Sequence, residues 1–309
     1  MRVLITGGFG YIGAKLGEYL FQNGHEVVLG TQRILTAPDW LPQVEVVNTI
    51  WNDEKELTRI CQGFDVIVHA AGMNAQDCSN DPIRALEFNG LATARILRSA
   101  IQSGIKRFVY LSTAHVYRNP LEGIINENTC PINIHPYATS HLSAELAISH
   151  EALKNRIGGI SLRISNGIGA PKDSNSKCWK LLVNDLCRQA VTQGRLKLRT
   201  SGGQKRDFIP LTTIAERISK ILTFSSEKLP RIINIGSGKS ISVMEMALLI
   251  QQRCKDVLNI DTQIELGEEK ELTNNFEFRS LYSTQFGFKA PNLNQSIDET
   301  LVLCKTIFN

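Results

Sequence analysis

The chain opens Met1-Arg2-Val3-Leu4-Ile5-Thr6-Gly7-Gly8-Phe9-Gly10-Tyr11-Ile12-Gly13, a branched apolar run followed by glycines and then a helical pattern. Val3 to Thr6 reads as a strand and Ile12 to Asn23 as a helix. A turn this tight needs glycine where φ is positive and where the backbone approaches a neighbour. The helix start offers free N–H groups and the positive end of a dipole. Gly7, Gly10 and Gly13 therefore predict a cradle for the pyrophosphate of a dinucleotide.

Working outward, further strands are expected at Glu26 to Leu29, Val44 to Val47, Val66 to His69, Phe108 to Ser112 and Ile160 to Ile164. Helical stretches lie between them: Glu54 to Cys61, Pro82 to Ser103 and Tyr137 to Asn155. Strand and helix in alternation imply right-handed crossovers and a parallel sheet covered on both faces. The expected fold class is α/β, a doubly wound Rossmann-type sheet with a smaller C-terminal substrate-binding portion. Residues 1–166 form the expected dinucleotide-binding domain, with segments returning around 207–236, and residues 167–309 mainly the second portion. In that portion, helices are expected near Cys178 to Thr192, near Thr212 to Ser225 and from Val243 to about Arg253. Strands are expected at Leu196 to Leu198 and Ile232 to Ile235, followed by a mixed tail.

Composition narrows the function. The 309 residues are 42% hydrophobic and 21% charged, which excludes a disordered or fibrous chain. A net charge of +4 without a basic run gives no sign of nucleic-acid binding. No apolar run approaches the roughly 20 residues of a membrane helix, and the opening is too short and glycine-rich for a signal peptide. A cytoplasmic location is the expectation. Seven cysteines with no Cys-x-x-Cys pair predict reduced, mostly buried thiols and no metal site.

The spacing Gly-x-x-Gly-x-x-Gly joins further motifs along the chain. They are Asp65-Val66-Ile67-Val68-His69-Ala70-Ala71, Asn89, Leu111-Ser112-Thr113-Ala114-His115-Val116-Tyr117 and Pro136-Tyr137. Later come Leu162-Arg163-Ile164-Ser165-Asn166, Gln204-Lys205-Arg206-Asp207-Phe208 and Asn234-Ile235-Gly236-Ser237-Gly238. Together they resemble the extended short-chain dehydrogenase/reductase family of nucleotide-sugar epimerases, dehydratases and reductases. The resemblance implies dinucleotide contacts from Gly7, Gly10, Tyr11, Ile12, Gly13, Ala70, Ala71, Gly72, Asn89, Ser112 and Ile164. It also implies a hydroxyl at Thr113, with Ser112 beside it as a second candidate, and an acid/base at Tyr137.

Two positions depart from the family pattern around the adenosine. The second strand ends Val28-Leu29-Gly30-Thr31-Gln32-Arg33, with no carboxylate to hold ribose hydroxyls. Thr31 is small and Arg33 could pair with a 2′-phosphate, so NADP(H) is the favoured cofactor, with NAD(H) the alternative. Trp51 stands near the position of an adenine-binding Asp; stacking on adenine and packing are both open.

The third departure concerns chemistry. Where the family has Lys four residues after the Tyr, this chain has His141. Four residues on a helix still place both side chains on one face. An ammonium about 4 Å away at an effective dielectric of about 20 is worth roughly 4 kcal/mol, or about three pKa units on a tyrosine. A mostly neutral histidine gives up that tuning, though it could still anchor the nicotinamide ribose. Oxidation needs a tyrosinate base, whereas reduction needs a protonated tyrosine acid. The pattern therefore points to an NADP(H)-dependent reductase acting on a keto group of a nucleotide-activated sugar. An NAD-retaining epimerase or dehydratase, and a non-catalytic dinucleotide-binding regulatory protein, are the alternatives.

The resemblance assigns the substrate diphosphate to Asn166, Arg206 and Arg279, with Met73, Asn74, His115 and the stretch 167–177 lining the sugar pocket. Arg206 could instead be the ion-pair partner of Asp207. A homodimer through the helices 82–103 and 137–155 is expected, with Leu142, Leu146 and Leu153 as candidates for its packing.

Overall fold

The structure, a computed structural model, describes residues 1–33, 36–225, 229–268 and 274–308. Strands β1 (Arg2–Thr6), β2 (Glu26–Thr31), β3 (Glu45–Asn48), β4 (Val66–His69) and β5 (Arg107–Thr113) build the first part of the sheet. A short β6 (Gly123–Ile125) lies outside it, and β7 (Gly158–Ile164) rejoins it. Next, β8 (Asn166–Ile168), β9 (Arg195–Lys197) and β10 (Lys205–Pro210) leave the sheet, and β11 (Ile232–Ile235) returns to it. The seven-stranded order is β11-β7-β5-β4-β1-β2-β3, parallel throughout. This is the doubly wound sheet that the alternation predicts.

Helices α1 (Tyr11–Gln22), α2 (Glu54–Ile60), α3 (Ala75–Asn80), α4 (Pro82–Ala85), α5 (Ala92–Gln102) and α6 (Pro136–Leu153) belong to the first half. In the second half lie α7 (Leu182–Gln193), α8 (Leu211–Leu222), α9 (Val243–Leu258) and α10 (Asn294–Phe308). Alternate strand residues serve opposite cores. Val3, Ile5, Val66 and Val68 pack with α1 and α8 residues such as Leu16 and Ile214. Leu4, Ile67, Phe108 and Tyr110 pack with α2, α5 and α6 residues such as Leu57, Ile96 and Ala144. Burial on both faces explains why these strands read as unbroken apolar runs.

The C-terminal layer has its own core of Val183, Leu186, Met246, Ile250 and Leu301 from α7, α9 and α10. Strand β12 (Ser240–Ser242) lies antiparallel on β10, whose other edge pairs with β8. β13 (Gln263–Glu265) pairs with β9, and β14 (Phe276–Phe278) with β6. The mixed tail thus resolves into two short strands and the amphipathic α10. All seven cysteines are free thiols, and six are buried.

One expected helix differs in form. The stretch 82–103 follows a single path but is interrupted by a wide i→i+5 turn at Leu86–Leu91. Such a turn accommodates one extra residue within a helix. Here it carries Asn89, whose side chain is fully buried beside the site described next.

Candidate functional site

The chain runs outward from β1 to β2 and β3 on one side, then returns to β4 on the other. This reversal opens a crevice beyond the carboxyl ends of β1 and β4, the place where doubly wound sheets bind ligands. Gly7 has φ +69°, and a Cβ there would stand 2.7 Å from Ala71 N. A Cβ at Gly13 would stand 2.3 Å from Gly7 O. Only glycine lets strand, turn and helix close this tightly. No side chain caps α1, and the first N–H to bond back is that of Ala14, to Gly10 O at 2.9 Å. The N–H groups of Tyr11, Ile12 and Gly13 are thereby left for an anion. The Tyr11 phenol is engaged elsewhere: it lies 2.8 Å from Gly169 O and 3.1 Å from Asn184 Oδ1, tying α1 to the C-terminal layer.

At the end of β2, Thr31 Oγ1 accepts from Arg33 N at 3.1 Å. The Arg33 side chain is exposed and forms no ion pair among the described residues. Trp51 is 6% exposed and packs edge-on against His69 and Phe88, with centroids 5.5 and 5.7 Å away. That burial leaves packing as its role and removes it as an adenine platform.

Toward the other end, Thr113 closes β5 opposite Ile164, which closes β7. Thr113 Oγ1 accepts from His115 N at 3.1 Å and is hydrogen-bonded to the Tyr137 phenol. Tyr137 stands in the first turn of α6. The N-cap His135 accepts from Tyr137 N through Nδ1 at 3.1 Å, so it fixes that turn. The His141 ring lies edge-on to Tyr137 with centroids 4.6 Å apart. Burial, helped by His115, pushes the His141 pKa down to about 3, so its ring is neutral. Burial raises the Tyr137 pKa, the Thr113 hydrogen bond offsets part of the rise, and Cys78 adds to it.

Several expected contacts take other forms. Ser112 is not beside the phenol: its hydroxyl donates to Glu145 Oε1 at 2.5 Å, next to the buried Arg163–Glu145 ion pair. Asn89 stands behind the site with both polar atoms occupied. Its Oδ1 accepts from Met73 N at 2.8 Å, and its Nδ2 donates to Ser140 Oγ at 3.0 Å. It therefore positions the loop after β4 against α6. Asn74 caps α3 by accepting from Asp77 N at 3.0 Å.

Just after β5, His115 is open to solvent yet surrounded by protein, which with Arg206 holds its pKa down to about 4. Arg206 bonds Gln204 Oε1 at 3.0 Å and forms no ion pair with Asp207. Asp207 is occupied by Ser165, Ser237 and the Gly238 N–H. Arg206 therefore faces the cleft as an uncompensated cation among the described residues. Asn166 donates one amide hydrogen to Asp207 O at 2.8 Å, which leaves its second amide hydrogen for a ligand oxygen. Arg279 forms an exposed ion pair with Glu277, a contact weak enough for a phosphate to replace.

Two residues escaped the motif reading. His135 caps α6 although it is not a usual capping type, and Tyr110 bonds His141 from the middle of a strand that reads as plain core. Only the tertiary pairing of β5 with α6 reveals the second.

The residues fit a dinucleotide on their own geometry: glycine-only closure at Gly7 and Gly13, uncapped N–H groups on α1, and a buried His141 Nε2 without a partner. Comparisons agree. A dTDP-6-deoxy-L-talose 4-dehydrogenase (NAD(P)(+)) of Kitasatospora kifunensis is 28% identical over 81% of this chain and 79% of its own length. A UDP-glucose 4-epimerase of Corynebacterium glutamicum is 27% identical over 83% and 80%. The solved UDP-glucose 4-epimerase of Thermotoga maritima, 18% identical, superposes with a TM-score of 0.84 over the whole of both chains, which shows the shared fold. The model of the NAD dependent epimerase/dehydratase family matches residues 3–236, and the chain accordingly belongs to that family of NAD(P)-dependent enzymes.

Proposed function

We propose that this chain binds NADP(H) and reduces a keto group on a nucleotide-activated sugar. The observation that carries the reading is the surroundings of Tyr137. Its phenol meets a hydroxyl and a neutral imidazole, with no ammonium among the described residues to stabilise a tyrosinate. A tyrosine so placed keeps its proton, which suits it to protonate the oxygen of a ketone as hydride arrives. Tyr137 donates that proton, and Thr113, pinned by the His115 N–H, orients the same oxygen. The dinucleotide, when bound, supplies the hydride. Gly7, Gly10 and the N–H groups of Tyr11 to Gly13 hold its pyrophosphate, Thr31 and Arg33 its adenosine phosphate, and Ala70 to Gly72 its middle. Arg206, Asn166 and, after release from Glu277, Arg279 hold the diphosphate of the sugar, beside Met73 and His115.

The names of the relatives favour a second reading, an epimerase or dehydratase that keeps NAD and oxidises transiently. One experiment separates them. The purified protein is denatured and any released dinucleotide identified by mass spectrometry. The emptied protein is then titrated with NADPH and NADH and assayed with keto nucleotide sugars. The reductase reading expects an empty site, a preference for NADPH, and NADPH oxidation that stays level through neutral pH. It also expects Tyr137→Phe to lose about 100-fold or more in kcat while still binding cofactor. Tightly held NAD with no net turnover would establish the second reading instead.

A further inference from the structure

His141 carries a buried ring nitrogen whose partner is absent among the described residues. Its Nδ1 lies 2.6 Å from Tyr110 Oη, whereas Nε2 bonds to nothing. A buried polar atom left open costs stability unless a ligand completes it. The open atom borders Gly72: a Cβ there would lie 3.7 Å from His141 Cε1 and 3.9 Å from Nε2. The missing partner thus belongs in the crevice over Gly72, between the phosphate cradle and Tyr137.

Whether Nε2 is a donor or an acceptor follows from a chain of hydroxyls behind it. Thr93 Oγ1 lies 2.6 Å from Asn89 O, and a carbonyl only accepts, so Thr93 spends its proton there. His69 Nε2, 2.9 Å from Thr93 Oγ1, must then donate to it. His69 Nδ1 in turn accepts from the Thr6 hydroxyl at 2.6 Å. Tyr110 stacks on His69 with ring centroids 5.7 Å apart, and its single proton has two acceptors within reach: the Thr93 oxygen and His141 Nδ1. The Thr93 oxygen already holds an N–H, and a neutral imidazole nitrogen is the stronger acceptor.

We propose that Tyr110 is a positioning residue that fixes the tautomer of His141, donating to Nδ1 so that Nε2–H points over Gly72 as the donor for a ribose hydroxyl of the dinucleotide. An ammonium is a donor in every orientation, whereas an imidazole is one only in the right tautomer. Tyr110 supplies that selection from the next element. The contact rests on a dinucleotide lying across Gly72, and is independent of the direction of hydride transfer.

The test is a nitrogen-15 spectrum of the histidine rings at neutral pH, with His141→Gln assigning the His141 signals. The expected result is a protonated Nε2 and a bare Nδ1, with that preference lost in Tyr110→Phe. A protonated Nδ1 in the wild-type protein, or an imidazolium, overturns the proposal. A binding cycle with NADPH and NADH adds a second readout. Tyr110→Phe is expected to weaken dinucleotide binding by about tenfold, the worth of one hydrogen bond. In the His141→Gln background the amide donates without any tautomer, so Tyr110→Phe adds no further loss. Equal losses in both backgrounds would reduce Tyr110 to a packing residue. The spectrum needs no cofactor, so a wrong tautomer overturns this proposal and leaves the reductase reading standing; failure to bind either dinucleotide overturns both.

Discussion

At the scale of one residue, His141 stands where the resemblance implies a lysine. Its place on α6 follows from spacing alone, but its protonation does not. Free histidine titrates near pH 6.5, and burial here holds the ring neutral down to about 3. Placing an ammonium there should therefore act chiefly on Tyr137, whose ring centroid lies 4.6 Å from that of His141. His141→Lys is expected to lower the Tyr137 pKa by about three units at most, from a charge about 4 Å away. The alkaline limb of ketone reduction then moves toward neutral pH, and alcohol oxidation gains in the same range. Rate profiles against pH in both directions check this, and superimposable wild-type and variant profiles would refute it.

At the scale of the element, the strand–turn–helix unit is the most legible part of the chain. Its apolar run, glycine spacing and helix start were all visible because each is a local requirement of the backbone. Gly13→Ala is expected to abolish cofactor binding, since its Cβ would meet Gly7 O at 2.3 Å and no side-chain motion relieves a backbone contact. Thermal melts with and without NADPH check it: the wild type gains stability from the ligand and the variant gains none. The Ser242…Glu245 capping box that starts α9 is equally local, with both of its reciprocal bonds formed. The wide turn at Leu86–Leu91 was not legible, because no residue type marks it. It exists to swing Asn89 between Met73 and Ser140, two partners far away in sequence. Trp51 was ambiguous for the same reason, since an indole beside a ligand and an indole in a core look alike until its neighbours are known.

Across the whole molecule, two predictions follow from what is buried and what is not. His69 and His141 are both held near a pKa of about 3 by burial, with His141 adding to the shift at His69 and His115 to that at His141. Their stabilising effect is complete above the unfolded value of about 6.5 and drains as the pH falls toward 3, because the unfolded chain binds protons that the fold refuses. Each contributes a slope of about 1.4 kcal/mol per pH unit inside that window. Urea midpoints at about pH 7 and about pH 5 should differ accordingly. His115, held down to about 4, adds to the same slope, so His141→Gln should remove about a third of it. The second prediction concerns assembly. A groove of about 680 Å³ runs between α5 and α6, lined by Leu91, Ile101 and Ala147, while Leu146 and Leu153 stand 62% and 61% exposed. Leu142 is instead partly buried within the subunit. We expect a homodimer across these helices and a monomer for Leu146→Arg, read by sedimentation, with cofactor binding unchanged.

Sequence order settled what depends on neighbours along the chain: the periodicities of strand and helix, the glycines that alone permit a close turn, and the spacing that places Tyr137 and His141 on one face. Those features rest on backbone sterics and helical repeat, which act over a few residues. The tertiary structure settled what depends on groups brought together from far apart. It gave Ser112 to Glu145, freed Arg206 by satisfying Asp207 elsewhere, and placed Tyr110 against His141. A polar side chain has no fixed role until the fold chooses its hydrogen-bond partners, and burial then sets which protonation state it can hold.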